Sequence, residues 1–341
     1  MSESNNRITF AVVGCGHIGK RHAEMIVNNP GADLAALCDI KDRADLAIEK
    51  YEVPFFSSLD ELLESAVDID VVVIATPNGL HAEQAVQALK AHKHVVVEKP
   101  LALNKADAEK VIFTALHYHR QVFAVMQNRY SPPSEWIKKM ITEEKLGRIN
   151  MVQINCYWNR DDRYYKGGSW HGDGKLDGGT LFTQFSHFVD IMYWLFGDIS
   201  NVQCRMTDFN HHDLTDFEDS GIVSFDFVDG GMGVINFSTS CWDKNFESSL
   251  TVLAEKGTVK IGGQYMNEVE YCHVQDYEFE ALPPANPPND YGPYKGSAAN
   301  HVYIIQNVVD VLQGKASITT NALEGLKVVD MIERVYQACK R

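Results

Sequence analysis

The sequence predicts an α/β protein: a doubly wound parallel sheet first, then an α+β domain with a large, mostly antiparallel open sheet. Three observations carry this. Strand-like and helix-like patterns alternate over the first ~125 residues, as in a parallel sheet covered by helices on both faces. The first strand runs into three spaced glycines before the first helix. Past Pro132 the alternation stops, and from Val202 to about Phe279 period-two segments follow, the mark of half-buried antiparallel strands. A chain of 341 residues is long enough for two domains. We expect them at 1–126 and 127–341, with the last helix free to pack back on the first.

The first strand reads Ile8–Val13 and ends in Gly14-Cys15-Gly16-His17-Ile18-Gly19. Gly14 permits a tight turn, Gly16 lets a pyrophosphate approach the backbone, and Gly19 lets the helix pack close to the strand. The helix over Lys20–Asn28 points its free N–H groups and positive dipole end at that turn. A strand over Ala32–Cys38 ends in Asp39, about 20 residues past the last glycine, where a carboxylate accepts ribose hydroxyls. This is a dinucleotide site. Asp39 repels a 2′-phosphate and so favours NAD over NADP; Lys41 and Arg43 are basic neighbours that act the other way.

Strands follow at Val71–Ala75, His94–Val97 and Gln121–Val125, the first two nearly continuous apolar runs. Helices are expected at Ala44–Tyr51, Leu59–Ser65, His81–Ala91 and Lys105–His119. In such sheets ligands gather at the carboxyl ends of the strands. Those ends carry Thr76-Pro77-Asn78-Gly79-Leu80-His81, Glu98-Lys99-Pro100 and Gln127-Asn128-Arg129-Tyr130, all expected to open onto the crevice of the glycine turn.

In the second part a helix is expected over Glu135–Glu144, closed by Gly147, then a strand over Asn150–Trp158. An aromatic and charged loop, Asn159–Trp170, leads to Gly178-Gly179 and one helix from Thr180 to Phe196. Its Leu181, Phe185, Val189, Met192 and Leu195 recur at helical spacing. Strands at Ser220–Val228, Gly231–Ser240, Ser249–Ala254, Thr258–Gly262 and Glu268–Val274 belong to a sheet of about five or six, with hairpin turns at Asp229-Gly230-Gly231 and Lys256-Gly257. Phe225, Phe227, Val234, Ile235 and Phe237, on alternating faces, suit pairing of this sheet with a second copy. A proline-rich loop, Pro283–Tyr294, and helices over Ala298–Leu312 and Ala322–Cys339 close the chain.

Composition sets limits. No apolar run nears the ~20 residues of a membrane span. Met1–Arg7 is polar and reads as a frayed tail, not a signal peptide. Cys15, Cys38, Cys156, Cys204, Cys241, Cys272 and Cys339 include no C-x-x-C pair; reduced, mostly buried thiols in a cytoplasmic protein are expected, Cys15 as a small filler. A net charge of −15 argues against a nucleic-acid partner but allows a local basic pocket. His211-His212 has no third ligand at suitable spacing, so no metal is expected.

Glu98-Lys99-Pro100, Gln127-Asn128-Arg129-Tyr130, and Gly178-Gly179 followed by His187-Phe188-Val189-Asp190 resemble the Gfo/Idh/MocA oxidoreductases. The resemblance spans essentially the whole chain, and Glu-Lys-Pro is its most specific short mark. Within that family the chain is similar to the UDP-N-acetylglucosaminuronate 3-dehydrogenases of surface-polysaccharide synthesis. Tyr157-Trp158-x-Arg160, Tyr164-Tyr165, Trp170-His171-Gly172, Asp177-Gly178-Gly179, Gln184-x-Ser186-His187, Glu255-Lys256-Gly257 and Asn300-His301-x-Tyr303 carry that likeness.

The resemblance implies a Rossmann domain holding NAD, and oxidation of a sugar or sugar-nucleotide secondary hydroxyl, at C3 of a UDP-N-acetylhexosaminuronate. Alternatives within the fold are another sugar or inositol dehydrogenase, an NAD-dependent glycosidase, and a non-catalytic sugar or nucleotide sensor. It implies no membrane partner, and assembly as a homodimer or homotetramer through the C-terminal sheet. Thr183 stands where many relatives carry Asp and this branch Asn, so the carboxylate helper is absent there.

Lys99 and His187 are the implied catalytic pair. The ammonium binds the hydroxyl oxygen and stabilises its developing charge. The imidazole titrates near working pH and suits a general base. Asp190, three residues on, orients that ring or caps a neighbour. Cofactor contacts are expected from Gly14, Gly16, His17, Ile18, Gly19, Asp39, Thr76, Pro77, Asn78, His81, Glu98, Lys99 and Gln127. Substrate contacts are expected from Lys99, Arg129, Arg160, Tyr164, Tyr165, Trp170, Thr183, Gln184, His187, Asn300 and His301. Arg129, Arg160 and Arg163 are the candidates for anionic groups, which guanidinium binds bidentately.

Overall fold

In chain order the elements are β1 (Ile8–Val13), α1 (His17–Val27), β2 (Ala32–Cys38), β3 (Phe55–Phe56), α2 (Leu59–Glu64), β4 (Val71–Ile74), α3 (His81–Lys90), β5 (His94–Val97), α4 (Lys105–His117) and β6 (Val122–Ala124). Next come α5 (Pro132–Thr142), β7 (Ile149–Tyr157), α6 (Asp162–Tyr165), α7 (Thr180–Thr183), α8 (Ser186–Phe196), β8 (Ile199–Thr207), β9 (Ser220–Phe227) and β10 (Met232–Ser238). The chain ends with β11 (Glu247–Ala254), β12 (Gly257–Gly262), β13 (Glu268–Val274), β14 (Pro288–Asp290), β15 (Lys295–Ala298), α9 (His301–Leu312) and α10 (Ala322–Cys339). The computed structural model describes residues 7–167, 170–292 and 294–339. The expected N-terminal tail, apart from Arg7, lies outside the described residues, as do Gly168 and Ser169 of the aromatic loop and Pro293 of the proline-rich loop.

The chain forms two units. One is the chain up to Val125 together with His301–Val329; the other is Met126–Asn300 together with the chain from Asp330. The linear division at 126/127 thus becomes an interleaved one, and α10 gives its first residues to one unit and its last to the other.

In the first unit the sheet order is β3-β2-β1-β4-β5-β6, all parallel, with the order reversing between β1 and β4. Val71–Ile74 and Val95–Val97 are fully buried, which is why they read as unbroken apolar runs. The expected helix over Ala44–Tyr51 does not form. Leu46 and Ile48 are both buried, and two positions apart on a helix they would face opposite ways. The chain instead makes one 3-10 turn at Arg43–Asp45, bends at Ala47 (φ 51°), and adds β3 as an edge strand beside β2. Arg43 ties the bend by donating to the carbonyls of Tyr51 and Val53. The returning segment covers the open edge of β6: Ala124 N–H donates to the Thr320 carbonyl at 3.0 Å, and the Thr320 hydroxyl donates to the Ala124 carbonyl at 2.5 Å. α9 lies on α1, with Asn29 Nδ2 donating to Gln306 Oε1 at 2.9 Å.

In the second unit the main sheet has seven strands, in the order β13-β12-β11-β7-β10-β9-β8, not five or six. Every pair is antiparallel except the central one, β7 with β10. Phe225, Phe227, Ile235 and Phe237 all face the core; of the five residues expected on alternating faces, only Val234 points away. The strands carrying them are antiparallel neighbours in a register that stacks like-facing residues, and α8 covers that face through Phe196 on Phe227 (5.4 Å between rings). The opposite face exposes Ile222 and Met232 among polar side chains. The single helix expected from Thr180 to Phe196 breaks in two. The Thr180 carbonyl accepts from both Gln184 and Phe185 N–H, and Phe185 (φ −116°) starts α8 afresh. Cys204 and Cys339 are joined by a disulfide, which corrects the expectation of seven reduced thiols; Cys15, Cys38, Cys156, Cys241 and Cys272 are free. No helix among the described residues is long and apolar enough to cross a membrane.

Candidate active site

The glycine turn is built as its spacing demands. Gly14 has φ +89°, and a Cβ on it would stand 2.5 Å from the Ala75 carbonyl oxygen. A Cβ on Gly19 would stand 1.7 Å from the Gly14 carbonyl oxygen. Over Gly16 the space is open: a Cβ there meets nothing within 4 Å. Gly16 caps α1 and brings no side chain to that helix N-terminus, whose N–H groups suit a phosphate. Asp39 Oδ2 accepts the Cys15 N–H at 2.6 Å and Oδ1 the Lys41 N–H at 2.9 Å, leaving each oxygen a lone pair for a ribose hydroxyl. These residues fit a dinucleotide. Burial, then the Asp39 charge, pushes the Cys15 thiol up to about 12, so it is a filler and not a nucleophile.

At the end of β4 the Thr76 hydroxyl donates to Gln84 Oε1 at 2.6 Å, Pro77 leads a 3-10 turn, and Asn78 is buried. His81 opens α3 with its ring 1% exposed. Its Nδ1 lies 2.7 Å from the Pro100 carbonyl oxygen and its Nε2 2.9 Å from that of Thr76. Burial lowers its pKa. After β5, Glu98 turns inward: Oε1 meets His22 Nε2 at 2.7 Å and His301 Nε2 at 3.5 Å, while Oε2 accepts the Lys99 N–H at 3.2 Å. Burial alone would raise the Glu98 carboxyl, but the hydrogen bonds and charges of His22 and His301 hold it well below the usual range. Lys99 precedes a cis Pro100 and is half-buried.

This arrangement corrects the role expected for His301. It belongs to the first unit, fully buried against Glu98 and edge-on to His22 (5.3 Å), because α9 brings it back to the parallel sheet. His22, which sequence reasoning passed over, completes the trio; its position one turn past Gly19 on the buried side of α1 was the available signal.

In the second unit Gln127 Nε2 lies 3.1 Å from His187 Nε2, both side chains buried. Asn300, one residue before α9, donates to the Gln127 carbonyl and to Ser131 Oγ, each at 3.1 Å, and so steadies the Gln127 turn. Arg129, expected from sequence to meet a substrate anion, turns two of its guanidinium nitrogens to a buried carboxylate. Its Nε and Nη2 hold the Asp190 carboxylate at 2.6 to 3.2 Å, with both side chains at most 1% exposed.

Arg160 is 2% exposed and is held by neutral acceptors: Gln184 Oε1 (2.8 Å) and the Asn159 carbonyl (2.6 Å), then the Lys295 carbonyl (3.1 Å) and Asn245 Oδ1 (3.2 Å). The faces of Trp158, Tyr164 and Tyr294 surround it at about 5 Å. Gln184 also donates to the Tyr164 hydroxyl at 2.8 Å. Tyr165 packs on His211, and Trp170 on His171. Arg163, by contrast, is exposed and paired with Asp161 and Asp243. The Thr183 hydroxyl bonds the Asp177 carboxylate and carbonyl, so the carboxylate expected to be absent here arrives from six residues upstream.

Among the described residues two clusters bring metal-ligating groups within 4.8 Å of one another: His22, Glu98 and His301, and Asp208, His211 and Asp219. The second supplies the ligands that sequence spacing did not show for His211. In the first, the 2.7 Å contact is a hydrogen bond, shorter than the roughly 3.3 Å between two ligands of one tetrahedral ion. In the second, the carboxylates bind loop donors instead: Phe209, Asn210 and His211 N–H, and His212 Nδ1.

The model of the oxidoreductase family with an NAD-binding Rossmann fold, GFO/IDH/MocA, matches residues 8–126, and that of the GFO/IDH/MocA C-terminal domain matches 135–260. Inositol 2-dehydrogenase of Salmonella typhimurium is 25% identical over 305 residues, 81% of this chain and 87% of that protein. The WlbA dehydrogenase of Bordetella pertussis, solved with NADH and UDP-GlcNAcA, is 32% identical at a TM-score of 0.87, covering 98% of this chain and 97% of that one. Its counterpart from Chromobacterium violaceum, with the same two ligands, is 30% identical at 0.88, covering 99% and 95%. On the two family models, which together match most of its length, the chain belongs to the GFO/IDH/MocA family of NAD-binding oxidoreductases.

Proposed function

We propose that this enzyme oxidises a sugar-nucleotide secondary hydroxyl, C3 of a UDP-N-acetylhexosaminuronate, as a step in building surface polysaccharide. The observation that carries this is the 32% identity, over 98% of the chain, to a dehydrogenase holding NADH and UDP-GlcNAcA together. Bound NAD supplies the hydride acceptor. The α1 N-terminus receives the pyrophosphate and Asp39 the ribose. Lys99 binds the reacting hydroxyl oxygen and stabilises its negative charge as the proton leaves. His187 takes that proton. With the Gln127 amide donating to Nε2, the neutral ring keeps its lone pair there, and the substrate hydroxyl replaces the amide. Arg160 acts from within the aromatic cluster, fixing Gln184 and Tyr164 on the substrate side. The outward face of the seven-stranded sheet, with Ile222 and Met232, pairs with a second copy; sedimentation as a monomer at micromolar concentration would refute that.

The test is turnover. Purified enzyme with NAD and UDP-GlcNAcA should raise absorbance at the NADH wavelength, in single-turnover spectra if NADH is held. Lys99→Ala should abolish the rise while NAD still binds. Wild-type enzyme that binds NAD but forms no NADH in either format overturns the substrate assignment. Full activity in Lys99→Ala overturns the role of the lysine.

A further inference from the structure

The backbone on either side of the Lys99 side chain is held by a buried group. On one side Glu98 Oε2 accepts the Lys99 N–H, and Glu98 is itself fixed by His22 and His301. On the other, the Pro100 carbonyl faces His81 Nδ1 at 2.7 Å. His81 is the first residue of α3, and its second nitrogen faces the Thr76 carbonyl at 2.9 Å, two residues past the end of β4. Both ring nitrogens face backbone carbonyls and the ring is 1% exposed, so neither is turned to a dinucleotide; a neutral ring has one N–H, which on Nδ1 donates to the Pro100 carbonyl across the shorter contact.

We propose that His81, expected from sequence as a cofactor contact, is instead a positioning residue for Lys99: its Nδ1–H ties the Pro100 carbonyl to the start of α3 and so fixes where the ammonium stands. The assignment rests on the reading of Lys99 given above. A lysine has a long flexible stem, so the position of its backbone sets where the ammonium can reach. A misplacement of ~1 Å at such a group can cost ~10²-fold in rate. The Pro100 link bears on Lys99; Nε2 lies beside the Thr76 carbonyl.

Two variants separate these links. An Asn amide nitrogen falls near the position of Nδ1 and a Gln amide nitrogen near Nε2, so His81→Asn keeps the Pro100 tether and His81→Gln loses it, its amide reaching only the Thr76 carbonyl. With UDP-GlcNAcA and NAD, His81→Gln should lose about tenfold or more in kcat with the Kd for NAD within about twofold, and His81→Asn should recover kcat to within about threefold of wild type. The pH profile of Lys99 labelling by an amine-reactive reagent, read by mass spectrometry, should match wild type in His81→Asn and shift in His81→Gln. Equal kcat and equal labelling in the two variants would overturn the proposal. So would a main loss in NAD affinity, which would make His81 a direct cofactor contact. Should wild type fail to oxidise the UDP-sugar, the substrate assignment falls, and the labelling profile still decides the tether.

Discussion

Alanine at Gly19 and alanine at Gly16 should fail in different ways, and the contrast tests how the cofactor is held. At Gly19 the added Cβ would lie 1.7 Å from the Gly14 carbonyl oxygen, a distance that must grow to about 3.0 Å. That oxygen cannot yield freely, because Gly14 N–H is bonded to the Cys38 carbonyl at 2.8 Å and the space beside its Cα is closed by the Ala75 carbonyl, 2.5 Å from where a Cβ would stand. The start of α1 must move instead, by more than the ~0.5 Å window within which N–H···O bonds hold. Overpacking costs ~1–3 kcal/mol of stability. Losing two charge-assisted bonds to the pyrophosphate, at ~1.5–3 kcal/mol each, weakens NAD by ~10²–10⁴-fold. At Gly16 the Cβ enters open space, and the backbone there (φ −67°, ψ −162°) is open to any residue. The cap loss of a few tenths of a kcal/mol to ~1 is offset by a less flexible unfolded chain. Gly16→Ala should therefore melt within about two degrees of wild type yet bind NAD about tenfold or more weakly, because the methyl occupies the pyrophosphate's place. Calorimetric titration with NADH and a melting curve on each variant suffice. Wild-type affinity in either variant would show that the turn does not cradle the pyrophosphate.

Three further outcomes follow from the same structure. Burial lifts the Glu218 carboxyl from its ordinary 4.5 to about 7, partly offset by the Tyr336 hydroxyl, which donates to it at 2.6 Å. The folded state thus holds this proton more tightly, so the contribution to stability is full below about 4.5 and lost as pH climbs through 7. The melting temperature should fall between pH 5 and 8, and Glu218→Gln should flatten that fall; an unchanged slope would contradict the assignment. Cys15 and Cys38, both pushed up to about 12 chiefly by burial, should resist iodoacetamide at pH 8 in the native enzyme, and rapid native-state labelling would count against their burial. Arg160→Lys should destabilise by ~2–4 kcal/mol in urea titration, because a point charge cannot reach Gln184, Asn159, Asn245 and Lys295 together; a wild-type midpoint would refute this.

What the sequence made legible was whatever a local backbone requirement imposes on residue type. Gly14, Gly16 and Gly19 are demanded by positive φ or close approach, and Asp39 by its place at the end of β2, so they stand out in one line of text. The seven-stranded sheet was legible as alternation, but not its parallel pair, because the β7–β10 contact joins strands far apart along the chain, whereas β8 pairs with its chain neighbour β9. Ala44–Tyr51 misled because its composition suits a helix while Leu46 and Ile48 both needed burial. The side-chain pairings were the least visible. Arg129 with Asp190 spans 61 residues, and Glu98 with His22 spans 76; nothing local distinguishes an arginine that will meet a buried carboxylate from one that will meet a substrate. Thr183 looked like a lost carboxylate for the same reason: Asp177 was on the page, but its contact was not.

The chain's return at His301 reaches into how the molecule is made. While the ribosome has delivered only the residues up to Val125, β6 has an uncovered edge, Asn29 lacks Gln306, and Glu98 has one histidine beside it where the mature protein has two. The cofactor-binding half is thus finished by residues translated well after it, so neither half matures on its own schedule. A nick or fusion near Asn300 would injure nucleotide binding from the far end of the polypeptide.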